Sequence, residues 1–163
     1  MLTYIPYFVI AIILHELGHF AAARACSVGI SEFGFGWGHK LFGFRFNNVE
    51  YVVRILPIGA YVRLDMAELG RRPLSQQVLV LLAGIITNLV VATLASGTRF
   101  GLMNYLLAAT NVLPLYQQDG WKCGMVMLRG GFQRKSPLAE WTFTLAGGLL
   151  SLTLMTAVLL RWL

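Results

Sequence analysis

Four long apolar stretches, separated by polar or glycine-rich segments, divide the chain. A helix that crosses the hydrocarbon core of a bilayer needs about 20 predominantly apolar residues. Each stretch except the third is close to that length. The third is shorter and ends in polar residues, so an interrupted or partly unwound helix is the alternative there. The pattern predicts a membrane α-helical protein with about four transmembrane helices, over about 2–25, 77–98, 102–118 and 138–161.

The segment over about 31–63, between the first two helices, has a different pattern. Its first part alternates glycines with aromatic residues, and a polar Asn47-Asn48 pair then precedes a run rich in β-branched residues. Such a pattern favours strands joined by a turn. Unpaired strand edges are not tolerated in hydrocarbon unless protein covers them or they line a cavity. We therefore expect a membrane re-entrant or interfacial β-sheet packed on the helices. An interfacial loop with aromatic anchors is the alternative.

Composition supports a membrane protein. Hydrophobic residues make up 57% of the 163 residues and charged residues 12%, whereas soluble domains average about 25% charged residues. All but two of the 13 Lys and Arg residues lie between the first and second or the third and fourth helices, the exceptions being Arg99 and Arg161. The positive-inside rule then predicts a multi-pass protein of the cell (inner or plasma) membrane with both termini outside. The net charge of +6 is assigned to cytoplasmic loops facing the lipid bilayer, and no nucleic-acid partner is expected.

The strongest chemical signal is His15-Glu16-Leu17-Gly18-His19 in the first apolar stretch. Helical residues four apart point the same way, so both imidazoles can bind one metal ion. Glu16 lies between them and can act as the general base toward water. A pair of structural polar residues is the alternative, but ionisable groups at membrane depth are costly and normally mark a functional site.

A catalytic zinc ion needs three protein ligands and one open position. Asp119 closes the third apolar stretch and is the best candidate for the third ligand by position. His39, in the glycine-rich segment, is the rival, because histidine is a common zinc ligand.

The chain resembles the site-2 protease family of intramembrane metalloproteases over nearly its whole length. The resemblance is carried by His-Glu-Leu-Gly-His-Phe at 15–20, Leu-Pro-Ile-Gly-Ala-Tyr-Val at 56–62, Gly84 with Asn88, and Asn-Val-Leu-Pro at 111–114 followed by Asp119-Gly120. It implies that His15, His19 and Asp119 hold Zn²⁺. Ala60 and Ile85 depart from the family pattern, at positions where glycine and proline are common.

Asn88 and Asn111 have two interpretations, of which the resemblance supports the first. They hold the substrate backbone or polarise the scissile carbonyl, or they are hydrogen-bond partners between helices. The element order resembles the four-helix branch that usually carries a PDZ domain. Since Ser96 to Leu102 leaves no room for that domain, we expect a compact member, a single intramembrane metalloprotease domain over 1–163.

The function expected is that of an intramembrane zinc endopeptidase. Its substrate would be the transmembrane segment of a single-pass membrane protein or a membrane peptide, bound as a strand added to the sheet. A catalytically silent relative that binds transmembrane segments is the main rival, although a binder has no need of Glu16. A metal transporter or sensor would want further ionisable residues along the helices.

Overall fold

The computed structural model describes residues 4–131 and 136–162. Its elements in chain order are α1 (Tyr4–Ala25), β1 (Ile30–Phe46), β2 (Val49–Leu64), α2 (Met66–Gly70), α3 (Leu74–Leu94), α4 (Arg99–Val112), α5 (Asp119–Gly131) and α6 (Pro137–Trp162). The chain is mostly helical, with a two-stranded antiparallel sheet between the first two long helices. Residues 2 and 3 of the first predicted helix, and the loop residues Arg134 and Lys135, lie outside the described residues.

Three helices in the described ranges are long and apolar enough to cross a bilayer: α1, α3 and the Pro137–Ala157 part of α6. By contrast, α4 has 14 residues, or about 21 Å at 1.5 Å per residue. The hydrocarbon core is about 30 Å thick. Three of the four predicted spans therefore meet the length requirement, and α4 does not.

The third predicted helix, over 102–118, is shorter in the structure. α4 ends at Val112, and Leu113 has an extended backbone with φ −61° and ψ 141°. The ring of a proline disfavours helical geometry in the residue before it, and Pro114 follows directly. The chain is not helical again until α5 begins at Asp119.

Two helices were missed by the sequence pattern. α5 contains several glycines and charged residues, which favoured a loop, but it places Asp119 in its first turn, where a carboxylate suits the helix dipole. The short helix α2 is capped by the side chain of Asp65, which accepts from the backbone N–H groups of Ala67 and Glu68 at 2.9 Å each. The second long helix, predicted over 77–98, lies slightly earlier in the chain as α3.

The polar face of α1 packs against α3. The buried positions of α1 recur every four residues, at Ala11, His15, His19 and Ala23. A matching row on α3 consists of Val80, Gly84, Asn88 and Ala92. The helices come close at Gly18, since a Cβ there would stand 2.6 Å from the carbonyl oxygen of Ala83. The two histidines therefore point into the protein and toward α3.

The sheet presents an edge to α1. Residues 32–35 have Cα partners among both 50–53 and 60–63, so residues 60–64 lie at an edge of the sheet. The backbone N–H of Val62 on that edge donates to Glu16 Oε2 at 3.0 Å. The sheet carries large apolar side chains that are more than half exposed, namely Trp37, Leu41, Phe42, Phe44, Phe46, Ile55, Leu56 and Ile58.

A buried apolar cluster joins α1, both strands, α2, α3 and α5 beside the histidines. It contains both cysteines, Cys26 and Cys123, as free thiols. This core fixes the sheet and α5 relative to α1.

Candidate metal centre

Three ligand atoms from α1 and α5 converge at one buried point. Asp119 Oδ2 lies 2.8 Å from His15 Nε2 and 3.0 Å from His19 Nε2, and the two Nε2 atoms lie 3.3 Å apart. All three residues are buried. Within the described part of the chain, this is the only group of three or more His, Cys, Asp or Glu side chains that could hold a metal ion.

The donor set fits zinc. Catalytic zinc sites in proteins use three histidine, carboxylate or thiolate ligands at about 2.0–2.3 Å. Two ligands about 2.05 Å from a tetrahedral ion lie about 3.3 Å apart, which is the spacing of the two imidazole nitrogens. The two distances to Asp119 are a few tenths of an ångström shorter. Two imidazoles and a carboxylate form one of the ligand sets that catalytic zinc sites use.

The break before α5 brings Asp119 to this point. Gly120 lies against the end of α4, and a Cβ on it would overlap the carbonyl oxygen of Val112 and stand 2.9 Å from that of Asn111. The second carboxylate oxygen, Asp119 Oδ1, accepts from Lys122 Nζ at 3.1 Å. Asp119 thus directs one oxygen to the histidines and the other to a lysine one helical turn away.

The imidazoles are oriented from α3. His19 Nδ1–H donates to the carbonyl oxygen of Val80 at 2.8 Å, and His15 Nδ1 lies 3.3 Å from Asn88 Nδ2. Between these contacts lies Gly84, where a Cβ would stand 2.5 Å from His19 Nε2 and 2.7 Å from His15 Nε2. A glycine at this position leaves the space that the two rings and a metal ion need.

Glu16 lies at a cleft beside the three donors. The cleft has a volume of about 390 Å³ and is lined by Glu16, His19, Asp119, Lys122, Met66, Leu81 and residues 61–64. Glu16 is half-buried, and its hydrogen bond from Val62 fixes the carboxylate against the sheet edge. The metal-binding group therefore opens on one side toward both a carboxylate and a strand edge.

A second carboxylate, Glu32 on β1, connects the sheet edge of residues 60–64 to the neighbouring strand. Glu32 Oε1 accepts from Tyr61 Oη and from Arg54 at 2.9 Å, and its Oε2 pairs with Arg63 at 3.0 Å. Burial raises the pKa of Glu32, but the hydrogen bonds from Tyr61 and Arg54 and the arginine charges outweigh it, so the pKa is lowered overall. Burial and the bond to Glu32 raise the pKa of Tyr61.

Of the residues predicted from the sequence, His15, Glu16, His19 and Asp119 come together. Asn88 is fully buried beside His15. Asn111 is buried near the end of α4, where its Nδ2 donates to Leu107 O at 2.9 Å. Neither asparagine is among the residues that line the cleft. His39 is exposed on β1 and contributes no atom to the metal-binding group.

Sequence reasoning missed three contacts at this site. Lys122 could have been found from its i+3 spacing to Asp119, had α5 been recognised. The N–H of Val62 and the carbonyl of Val80 are backbone groups, which any residue type supplies, so no sequence signal marks them.

Known proteins are similar to this chain in sequence. A family model for peptidase family M50 matches residues 3–100, a range that contains α1, both strands, α2 and α3, with Asp119 beyond it. The membrane metalloprotease ARASP of Arabidopsis thaliana chloroplasts is 37% identical over 93 residues, or 50% of this chain and 21% of that protein.

Two bacterial relatives are similar over half of the chain or less. The zinc metalloprotease RasP of Shouchella clausii is 41% identical over 64 residues, or 39% of this chain and 15% of that protein. A Clostridium perfringens protein named as a candidate zinc metalloprotease is 38% identical over 89 residues, or 50% of this chain and 27% of that protein. The aligned parts span about a quarter or less of these relatives' lengths.

Proposed function

We propose that this chain, which belongs to peptidase family M50, the site-2 protease family, is an intramembrane zinc endopeptidase. It would hydrolyse peptide bonds in or near the transmembrane segments of single-pass membrane proteins or membrane peptides. The observation that carries the proposal is the meeting of His15, His19 and Asp119 at one buried point beside Glu16.

In this proposal His15 Nε2, His19 Nε2 and Asp119 Oδ2 hold Zn²⁺. A zinc ion supplies Lewis-acid activation of water and of a carbonyl oxygen. The arrangement supports a tight site, because the three donor atoms already lie 2.8–3.3 Å apart and need little reorganisation to bind one ion.

Glu16 is the proposed general base. It takes a proton from the attacking water and passes it to the amine that leaves as the peptide C–N bond breaks. The Val62 N–H holds one carboxylate oxygen at the sheet edge. The other oxygen of Glu16 is therefore available on the cleft side, where the reacting peptide would lie.

The substrate would bind as an extended strand. A peptide bond inside a helix has its carbonyl hydrogen-bonded along the chain, so a transmembrane helix must unwind locally before hydrolysis. Residues 60–64 form a sheet edge that borders the cleft. A strand added to such an edge gains backbone hydrogen bonds that replace part of the lost helical ones.

The membrane setting of the site is also part of the proposal. α1, α3 and α6 are candidate spans, and the large exposed apolar side chains of the sheet are a surface of the kind that contacts lipid. The basic residues between the first two long helices favour a cytoplasmic position for the sheet and its loops. Both termini outside then requires four crossings, the third made by α4 and α5 together across the break before Pro114. Reporter fusions at Gly70 and at the C-terminus would test this, and a cytoplasmic C-terminus would contradict it.

The decisive experiment compares wild type with Glu16→Gln. The glutamine side chain keeps an oxygen that can accept from the N–H of Val62, but it cannot take a proton. We expect about one zinc per chain in both proteins by elemental analysis. With a fluorogenic single-pass peptide whose apolar segment contains a glycine pair, the variant should cleave at least ~100-fold more slowly.

Two outcomes would contradict the proposal. Equal cleavage by the two proteins would exclude Glu16 as the base. Stoichiometric zinc without cleavage of any single-pass peptide by wild type would favour the silent, segment-binding relative.

A further inference from the structure

α3 carries a row of three groups that fit the two histidines of α1. Val80, Gly84 and Asn88 are spaced by four residues and lie on one buried face. Val80 O contacts His19, Gly84 contacts both rings, and Asn88 contacts His15. This row provides each imidazole with one hydrogen-bonding group on the nitrogen that faces away from Asp119.

The hydrogen-bonding group next to Nδ1 differs between the two histidines. A neutral imidazole that binds metal through Nε2 carries its proton on Nδ1, and that proton needs an acceptor. For His19 the acceptor is the carbonyl of Val80. For His15, the only partner of Nδ1 among the described residues is the side-chain amide of Asn88.

The amide of Asn88 contains the acceptor that His15 lacks. Asn88 is fully buried, and its Oδ1 has no hydrogen-bond partner. The oxygen and nitrogen ends of an amide have nearly the same shape, so a half-turn about the last side-chain bond brings Oδ1 to Nδ1 without extra space. An amide nitrogen in that place would instead donate to Nδ1 and leave the proton on Nε2, where the metal must bind.

We infer that Asn88 is a positioning residue of the metal site, whose Oδ1 accepts from His15 Nδ1–H and thereby turns the Nε2 lone pair toward the metal. The inference rests on the proposed zinc site. It gives Asn88 a role that does not involve substrate, since the side chain is fully buried and does not line the cleft.

The test is zinc affinity, measured on the detergent-purified chain by competition with a chromogenic chelator. Loss of an outer hydrogen-bond partner of a zinc ligand typically weakens metal binding about 10–100-fold, and we expect that loss in Asn88→Ala. Asn88→Asp offers an acceptor but no donor, so it should bind zinc at least as tightly as wild type.

Asn104→Ala is the matched control. Asn104 is also fully buried, its Oδ1 is also without a partner, and its Nδ2 donates within its own helix to Phe100 O at 2.9 Å. Its replacement should lower the unfolding temperature about as much as Asn88→Ala does, while zinc affinity stays at the wild-type value.

The outcomes separate this inference from the function on which it rests. If wild type binds no zinc, both fail. If wild type binds zinc and Asn88→Ala binds it equally well, the inference is overturned and the proposed function stands. If Asn88→Ala does not fold, Asn88→Asp decides, because weak zinc binding in that variant would mean that the amide donor matters and not the acceptor.

Discussion

Gly84 on α3 lies so close to His19 on α1 that a Cβ at Gly84 would stand 2.5 Å from His19 Nε2. Real side-chain contacts of carbon and nitrogen are about 3.5 Å or longer. The metal-binding face of α1 therefore depends on the lack of a side chain on the neighbouring helix. The glycine spacing that gives a family resemblance in the sequence has a direct steric reason.

Gly84→Ala should disrupt the metal centre. Alanine is the better helix former by about 0.5–1 kcal/mol, but overpacking a well-packed interior costs typically 1–3 kcal/mol, so the steric overlap wins. We expect a lower unfolding temperature and less than one zinc per chain by elemental analysis. Gly148→Ala on α6 is the control, since no atom lies within 4 Å of a Cβ built there. Full zinc occupancy in Gly84→Ala would contradict the packing described here.

Asp119→Ala should lose zinc binding, while His39→Ala should keep it. Asp119 supplies the oxygen nearest to both imidazole nitrogens, so its removal should weaken zinc affinity by more than the ~10–100-fold typical of losing an outer hydrogen-bond partner. Chelator competition on both variants measures this. The reverse order of affinities would move the third ligand to β1.

Lys122→Met should change zinc affinity by less than about tenfold. The Lys122 side chain is 40% exposed, and ion pairs at exposed positions contribute only about 0–1 kcal/mol. Removing a cation beside a Zn²⁺ site also favours binding, which offsets the lost contact to Asp119 Oδ1. A larger loss in the chelator assay would mean that Lys122, and not the pair of histidines, sets the position of Asp119.

Glu32→Gln should loosen the sheet edge beside the cleft. The substitution keeps an acceptor oxygen but removes the negative charge, so the hydrogen bonds that Tyr61 and Arg54 donate lose their charge assistance. The bond from Tyr61 then changes from one to a charged acceptor, which contributes about 1.5–3 kcal/mol, to a neutral one of about 0.5–1.5 kcal/mol. The Arg63 pair adds little because its guanidinium is largely exposed. Glu50→Gln, which breaks the exposed pair with Lys40 on the same sheet, should cost under about 1 kcal/mol. Thermal unfolding of both variants in detergent tests the difference.

The stabilisation by Glu32 should also depend on pH. Because the pKa of Glu32 is lowered in the folded chain, the unfolded chain binds more protons at this site on the acid side. The contribution of Glu32 is therefore complete above the ordinary glutamate pKa and is lost as the pH falls through the lowered folded-state pKa. The gap between wild type and Glu32→Gln should narrow in that acidic range, and a gap that stays constant would contradict the pKa shift.

The sequence by itself determined the membrane class, the helix that carries the candidate metal ligands His15 and His19, and the segment that forms the sheet. Length and hydropathy mark α1, α3 and α6, because a bilayer sets the length of an apolar helix. The spacing of His15 and His19 predicts a shared metal face, because the helical repeat brings residues four apart together. The alternation of glycines and aromatics predicted strands over about 31–63, and β1 and β2 occupy that segment.

Only the tertiary structure decided how the other groups meet these residues. Asp119 is 100 residues from His19, and its approach depends on the helix break before Pro114 and on the small volume of Gly120 against α4. The contacts of Val62 and Val80 come from backbone atoms, which carry no residue signature. The partner of Asn88 depends on how α3 lies against α1. Local periodicity predicts which face of a helix is polar, but long-range packing determines which atoms that face contacts.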